Sequence, residues 1–182
     1  MDRHPVTLPR ADIAIEALRG SPAVVAALAD ILIETVAGGG SVSFMHPLER
    51  QHAEVFWQRS LAAAQRGERV VFGARENGLL VGTVTLLLDM PLNQPHRAEI
   101  AKMMTRVAYR GRGIATVLMR AAEREAVARG KSLMTLDTAA DGGAGPFYER
   151  MGFEKAGTIP DYAFKPQGGL TGTLIYWKRI AP

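Results

Sequence analysis

Apolar and polar residues alternate over positions 13–18, the period-two pattern of a half-buried strand. Ser21 followed by Pro22 then marks a helix start, because serine can cap free amides and proline tolerates the first helical position. The predicted helix runs to about Val36, where Gly38-Gly39-Gly40 ends it. Positions 41–46 read as a loop. Pro47 opens a second predicted helix to about Gln65, with Ala53, Phe56, Trp57, Leu61 and Ala64 at helical spacing.

A hairpin follows. Strand-like runs at 69–75 and 79–88 flank Glu76-Asn77-Gly78, whose Asn-Gly is a strong reverse-turn signal. A proline-bracketed polar loop (89–96) leads to a strand over 97–106, and a glycine-bearing loop leads to a helix over 114–129 closed by Gly130. A strand at 132–138, a glycine-rich connection at 141–145, a short helix from Pro146 to Gly152 and a final strand at 172–179 complete the order. No repeat or linker divides it. The expectation is one α/β domain over residues 1–182: helices, an antiparallel hairpin, then a strand–loop–helix–strand unit.

The chain of 182 residues is long enough to bury a continuous core, and its 47% hydrophobic content is that of a folded protein. There is no apolar run long enough for a membrane span, and the first sixteen residues lack the apolar core of a secretory signal. A cytoplasmic location is the expectation. Without cysteine, disulfides, thiolate metal sites and a cysteine nucleophile are all excluded. Histidines 4, 46, 52 and 96 lack metal-ligand spacing, so no metal is expected.

Charge is unevenly placed. Residues 97–131 hold nine basic and three acidic side chains, a local net of +6, while the rest of the chain, with 13 basic and 15 acidic, is net −2. That concentration points to a local anionic partner. With only Tyr109 among the basic residues, it lacks the interleaved aromatics expected of a nucleic-acid surface. Within it lies Val107-Ala-Tyr-Arg-Gly-Arg-Gly-Ile-Ala115, between a predicted strand and a predicted helix. Glycines here let consecutive amides converge, the helix terminus adds its dipole, and Arg110 and Arg112 can bind phosphate oxygens. A triphosphate loop would need Gly-Lys-Ser/Thr after four intervening residues, which is absent. A dinucleotide fingerprint begins at Gly111 and Gly113, with Asp137 ending the next strand, but its third glycine position is Thr116. The pattern Arg/Gln-x-x-Gly-x-Gly/Ala is filled by Arg110, Gly113 and Ala115.

With AEIAKMMTRVAYRGRGIA, LMTLDT and PFYERMGF in this order, the chain resembles the GNAT-type N-acetyltransferases. NQPHRAEIAK and SVSFMHPL further resemble the tabtoxin-resistance acetyltransferases and their relatives. The resemblance implies a mostly antiparallel central sheet, two splayed parallel strands at the cofactor cleft, and helices on both faces. It implies acetyl-CoA as co-substrate, held by backbone groups of Met103, Met104 and Thr105 and by the loop Arg110, Gly111, Arg112, Gly113, Ile114 and Ala115. For the two methionine side chains, core packing is the preferred role. Tyr148 is the implied general acid, and Glu99 the candidate base, with a salt bridge to Arg97 or Lys102 as the alternative and Asp89 and His96 in reserve. Where the family often carries Asn and Ala before its tyrosine, this chain has Asp141 and Ala144, which leaves the contacts of that turn open.

The acceptor is expected between the 38–46 loop, with Ser41, Ser43, Phe44 and His46, and a second loop carrying Asn93, Gln94 and His96. Three glycines hinge the first loop as a lid, or else merely terminate a helix. The function expected is transfer of acetyl to the amine of a small, amino-acid-like or toxin-like molecule. Acetylation of protein amino termini or lysines, and a non-catalytic acyl-CoA sensor, are the alternatives. Neither nucleic acid nor membrane is expected as a partner, and a homodimer remains open.

Overall fold

A computed structural model describes residues 13–181. The stretch read for a secretory signal, and His4, fall largely outside it. Seven strands form one sheet in the order β1-β2-β3-β4-β5-β7-β6. In chain order these are β1 (Ile13–Ala17), β2 (Arg69–Glu76), β3 (Leu79–Leu87), β4 (Arg97–Thr105), β5 (Leu133–Ala139), β6 (Glu154–Phe164) and β7 (Leu170–Arg179). β4 and β5 pair in parallel; every other neighbouring pair is antiparallel. The helices are α1 (Pro22–Ala37), α2 (Arg50–Gln65), α3 (Ile114–Ala128) and α4 (Gly145–Arg150).

Local chemistry accounts for most of these boundaries. The Ser21 hydroxyl accepts the Val24 amide at the start of α1, as a serine cap should. The three glycines close the same helix with a Schellman arrangement: Gly39, at φ +82°, donates to the Val36 carbonyl, and Gly40 donates to that of Thr35. Asn77 and Gly78, both at positive φ, make the two-residue turn between β2 and β3. Two expectations shift. α2 begins at Arg50, not Pro47, because the preceding segment is held elsewhere: the His46 amide donates to the Pro166 carbonyl, and Glu49 keeps an extended backbone as the N-cap. β7 begins two residues earlier than expected.

β6 has no counterpart in the sequence pattern. It pairs only with β7, is exposed along most of its length, and carries Pro160 and a left-handed Asp161 within a register shift. An edge strand open to solvent needs no apolar alternation, so its signal was never written into the sequence.

Alternating side chains of the sheet enter two cores. Val70, Phe72, Val84 and Leu86 pack with Leu118, Met119 and Ala122 of α3, while Val71, Leu80 and Met104 pack with Leu28, Ile31, Leu32 and Trp57 of α1 and α2. Gly82 on β3 sets how closely α3 approaches. A Cβ there would lie 2.9 Å from Ile114 Cγ2 and 3.1 Å from the Met104 carbonyl oxygen, which cannot move cheaply. Gly82→Ala should therefore cost about 1–3 kcal/mol. At about 2–4 °C per kcal/mol for a domain of this size, the melting temperature should fall by several degrees. Gly157→Ala, where nothing stands within 4 Å of the new carbon, should leave the circular-dichroism melt within about 0.5 kcal/mol of the parent.

Candidate active site

The parallel pairing of β4 and β5 covers only Arg97–Glu99 against Leu133–Thr135. Beyond it, β4 stays with β3 and β5 stays with β7, so the two strands part and each turns an unpaired edge toward a cleft. Just past the parting, Thr85 pairs with Ala101 and Thr83 with Met104, so Lys102 and Met103 together oppose Val84. This is a β-bulge, and Lys102 takes it up at φ +51°. A cavity of about 820 Å³ occupies the parting.

The glycine loop stands at one end of this cavity. A single turn, Val107–Tyr109, leads to Gly111 and Gly113, at φ +72° and +83°, and Gly113 is the N-cap of α3. No side chain caps the helix, and Val117 is the first residue whose amide returns to Gly113. The amides of the first turn thus face outward without intrahelical partners. A Cβ built at either glycine would meet nothing within 4 Å. Open space, converging amides and a helix dipole fit a pyrophosphate, and the unpaired edge of β4 fits an extended amide-bearing arm.

The expected residues divide sharply. Phe44, Met103, Met104, Thr105, Arg110, Ala115 and Tyr148 all line the cavity. Ile114 is instead in the core against β3, so only its backbone can serve the loop. Arg112 turns away: it pairs with the buried carboxylate of Glu76 and lies over the Tyr109 ring, 5.0 Å from its centroid. Glu99 sits before the parting, off the cavity wall, with its carboxylate 2.9 Å from Arg97, which also bonds Thr135 and Gln94. His96 borders a separate depression with Ser132, Leu133 and Trp177. Neither Asn93 nor His46 lines the cavity.

Three contributors carry no site role on sequence alone, where Asp137 fits only the dinucleotide fingerprint and Lys102 only a salt bridge to Glu99. Asp137 and Lys102 both line the cavity, and so does the end of β6 with Tyr162, Phe164 and Lys165. A lysine inside the apolar run of β4 was a usable signal, and so was an aspartate in LMTLDT; the end of β6 offered none. The β6–β7 hairpin also ties down the 38–46 segment, where the sequence suggested a hinge. Gln167 donates to the carbonyls of Val36 and Ala37, and Pro166 accepts the His46 amide, so the 38–46 segment is clasped at both ends. Asp141 has a tying role as well, accepting the Thr171 hydroxyl at 2.7 Å with Lys165 at 3.4 Å, and both contacts lower its pKa.

Burial governs the electrostatics. Tyr148 is 7% exposed, packed by Phe147, Phe153 and Tyr176, and its phenol is pushed up to about 12 by desolvation and by the charge of Asp137. Asp137 keeps a hydrogen bond from the Thr173 hydroxyl at 3.1 Å. The Lys102 ammonium is pushed below its ordinary value, chiefly by burial, with Asp137 acting against the shift. The cavity thus joins a neutral phenol, a carboxylate and a desolvated amine to an anion cradle. That set can bind a phosphorylated carrier, exchange a proton and donate one.

Among known proteins, an N-acetyltransferase from Staphylococcus aureus Mu50 superposes with a TM-score of 0.79 at 20% identity, covering 94% of this chain and 100% of its own. A ribosomal-protein-alanine N-acetyltransferase from Brucella melitensis gives 0.78 at 20% identity, over 92% and 99% of the two chains. The yncA protein of Salmonella typhimurium, solved with its cofactor acetyl-CoA, gives 0.74 at 17% identity, over 93% and 94%. At such identities these likenesses speak for the fold. The profile of the acetyltransferase (GNAT) family matches residues 21–153, which takes in the glycine loop, the parted strands and Tyr148, and the chain belongs to that family.

Proposed function

We propose that this chain moves acetyl from acetyl-CoA directly to the amine of a small acceptor. The observation that carries the reading is the meeting, in one cavity, of the uncapped glycine-loop helix, the free edge of β4 and Tyr148. The carrier, when bound, supplies an activated thioester. In this reading the amides of Gly111, Arg112, Gly113, Ile114 and Ala115 hold its pyrophosphate, with the Arg110 side chain beside them. Backbone groups of Met103, Met104 and Thr105 hold its arm, and one of those amides polarises the thioester oxygen.

The base is assigned to Asp137, because the Glu99 carboxylate is engaged by Arg97 away from the cavity. Tyr148 donates to the departing sulfur. The two groups reinforce each other: the Asp137 charge helps keep the phenol at about 12, so when Asp137 takes the amine's proton that charge vanishes. The phenol then becomes a stronger acid as the thiolate leaves.

A small acceptor is favoured over a polypeptide by the clasp between the hairpin and the 38–46 segment, which walls the acceptor side with Ser43, Phe44 and Tyr162. The likeness of NQPHRAEIAK and SVSFMHPL to tabtoxin-resistance acetyltransferases supports the same choice.

Because the chain has no cysteine, released CoA thiol can be titrated with a disulfide reagent without protein background, and a panel of small amines should give turnover while peptides give less. Tyr148→Phe should lower kcat about 10²-fold with acetyl-CoA affinity nearly unchanged; equal turnover would return Tyr148 to packing. Arg110→Gln should weaken acetyl-CoA binding about tenfold in calorimetry, whereas Arg112→Gln, which cuts a tie to Glu76, should lower the melting temperature more than the affinity.

Ultraviolet titration reports on the coupling. Asp137→Asn should bring the Tyr148 phenol down from about 12. Stability follows the same shift: the folded phenol titrates above its unfolded value of about 10, so its contribution is intact below pH 10 and is lost as pH rises toward 12. Tyr148→Phe should flatten that alkaline loss.

A further inference from the structure

We propose that Lys102 selects the acceptor by holding a carboxylate on it, so that the substrate is an amino acid and not a simple amine. This rests on the acetyl-transfer reading and adds the charge that the acceptor must carry. Lys102 stands in the bulge of β4, where the extra residue breaks the strand's alternation and re-aims a side chain that lines the cavity. Its Nζ donates to Ser43 Oγ at 3.1 Å and lies 5.7 Å from the centre of the Phe56 ring. Both bonded partners are left-handed non-glycine residues, Lys102 at φ +51° and Ser43 at φ +72°. Two disfavoured backbone conformations that converge on one hydrogen bond at a cavity wall are the mark of a geometry kept for use.

The ammonium is under-partnered. Ser43 takes one of its three hydrogens, and no carboxylate among the described residues forms an ion pair with it; Glu99, three positions away, is held by Arg97. Burial disfavours its charge, and Arg69, whose Nε is buried without a hydrogen bond, presses in the same direction. Asp137 alone opposes them. A half-buried cation with hydrogens to spare and a second cation acting against its charge gains most from an anion brought by a ligand. Ser43 lines the cavity beside Lys102, on what the acetyl-transfer reading makes the acceptor side, while Phe56 lies beneath the ammonium. A zwitterion fits this side with both ends satisfied, its carboxylate on Lys102 and its amine at Asp137. A simple amine would leave Lys102 without an anion, and a peptide amino terminus carries no carboxylate near its amine.

The test is CoA release with L-amino acids, each paired with its own amide, which keeps the amine and removes the carboxylate charge. The parent protein should prefer free acids by about 10- to 100-fold in kcat/KM, the range of a charge-assisted hydrogen bond. Lys102→Met, which preserves length and packing over Phe56, should bring the ratio of acid to amide close to one, mainly through KM, with acetyl-CoA affinity unchanged by calorimetry. Lys102→Arg should restore part of the preference. Equal losses for acid and amide in Lys102→Met, or a parent that turns over amides as well as acids, would overturn the anchor while leaving acetyl transfer standing. A mass increase of one acetyl group on Lys102, when the parent meets acetyl-CoA without an acceptor, would also overturn it, since the lysine would then be a substrate. No CoA release with any pair would overturn the anchor, and no release with the panel of simple small amines as well would remove acetyl transfer too.

Discussion

The structure turns on the parting of β4 from β5. Parallel strands that stay together satisfy each other's amides and carbonyls, and they leave nothing for a ligand. Here the ladder stops after Glu99 and Thr135, yet neither strand is orphaned: β3 holds β4 on one side and β7 holds β5 on the other. The sheet thus remains mechanically continuous through its outer pairs while a gap opens between its middle ones. Everything chemical borders that gap. Tyr148 reaches it from α4, Asp137 from β5, Lys102 from the bulge of β4, and the glycine loop sits where β4 ends.

The charge distribution shows how a sequence average becomes something more specific on folding. The +6 segment looked like one basic patch, but most of its cations have partners. Arg97 pairs with Glu99, Arg106 with Glu34, Arg112 with Glu76 and Arg129 with Glu125, and Lys131 donates to the Pro95 carbonyl. Arg110 and Lys102 are the basic members of that segment that line the cavity. In the proposed reading they hold two different anions, one on the carrier and one on the acceptor. Net charge could locate the segment; only side-chain direction separates the cations that line the cavity from those that brace the fold.

Legibility in the sequence followed the same line between backbone and side chain. Capping residues, the Asn-Gly turn and apolar periodicity are local, and they placed β1 to β5 and α1 to α4 within a few residues. The parted strands, the loop and Tyr148 were legible through motifs that must keep their spacing to work. Glu99 takes the salt bridge to Arg97 that the sequence left as its alternative: a carboxylate at the start of β4 looks the same in sequence whether it faces the cleft or Arg97, and the outcome depends on which side of the parting it falls. Asn93, His96 and His46 lie off the cavity wall, since loop residues close in sequence to the site need not face it. β6 was invisible since an exposed edge strand has no buried face to write into the chain.

That last omission matters most for specificity. The glycines at 38 to 40 look like a hinge when read alone, because three of them leave the backbone little restraint. In the fold they complete a helix cap, and a Cβ at Gly40 would come within 2.5 Å of Thr35 Cγ2, so that position is glycine for closeness and not for motion. Gln167 and Pro166, reaching back from the β6–β7 hairpin, then tie the loop that follows. Ser43 is consequently presented from a fixed support, which is what a hydrogen bond to a single lysine requires if it is to discriminate between acceptors. In the proposed reading the acceptor side is therefore built by the part of the chain that sequence reads worst, on to a carrier side built by the part that it reads best.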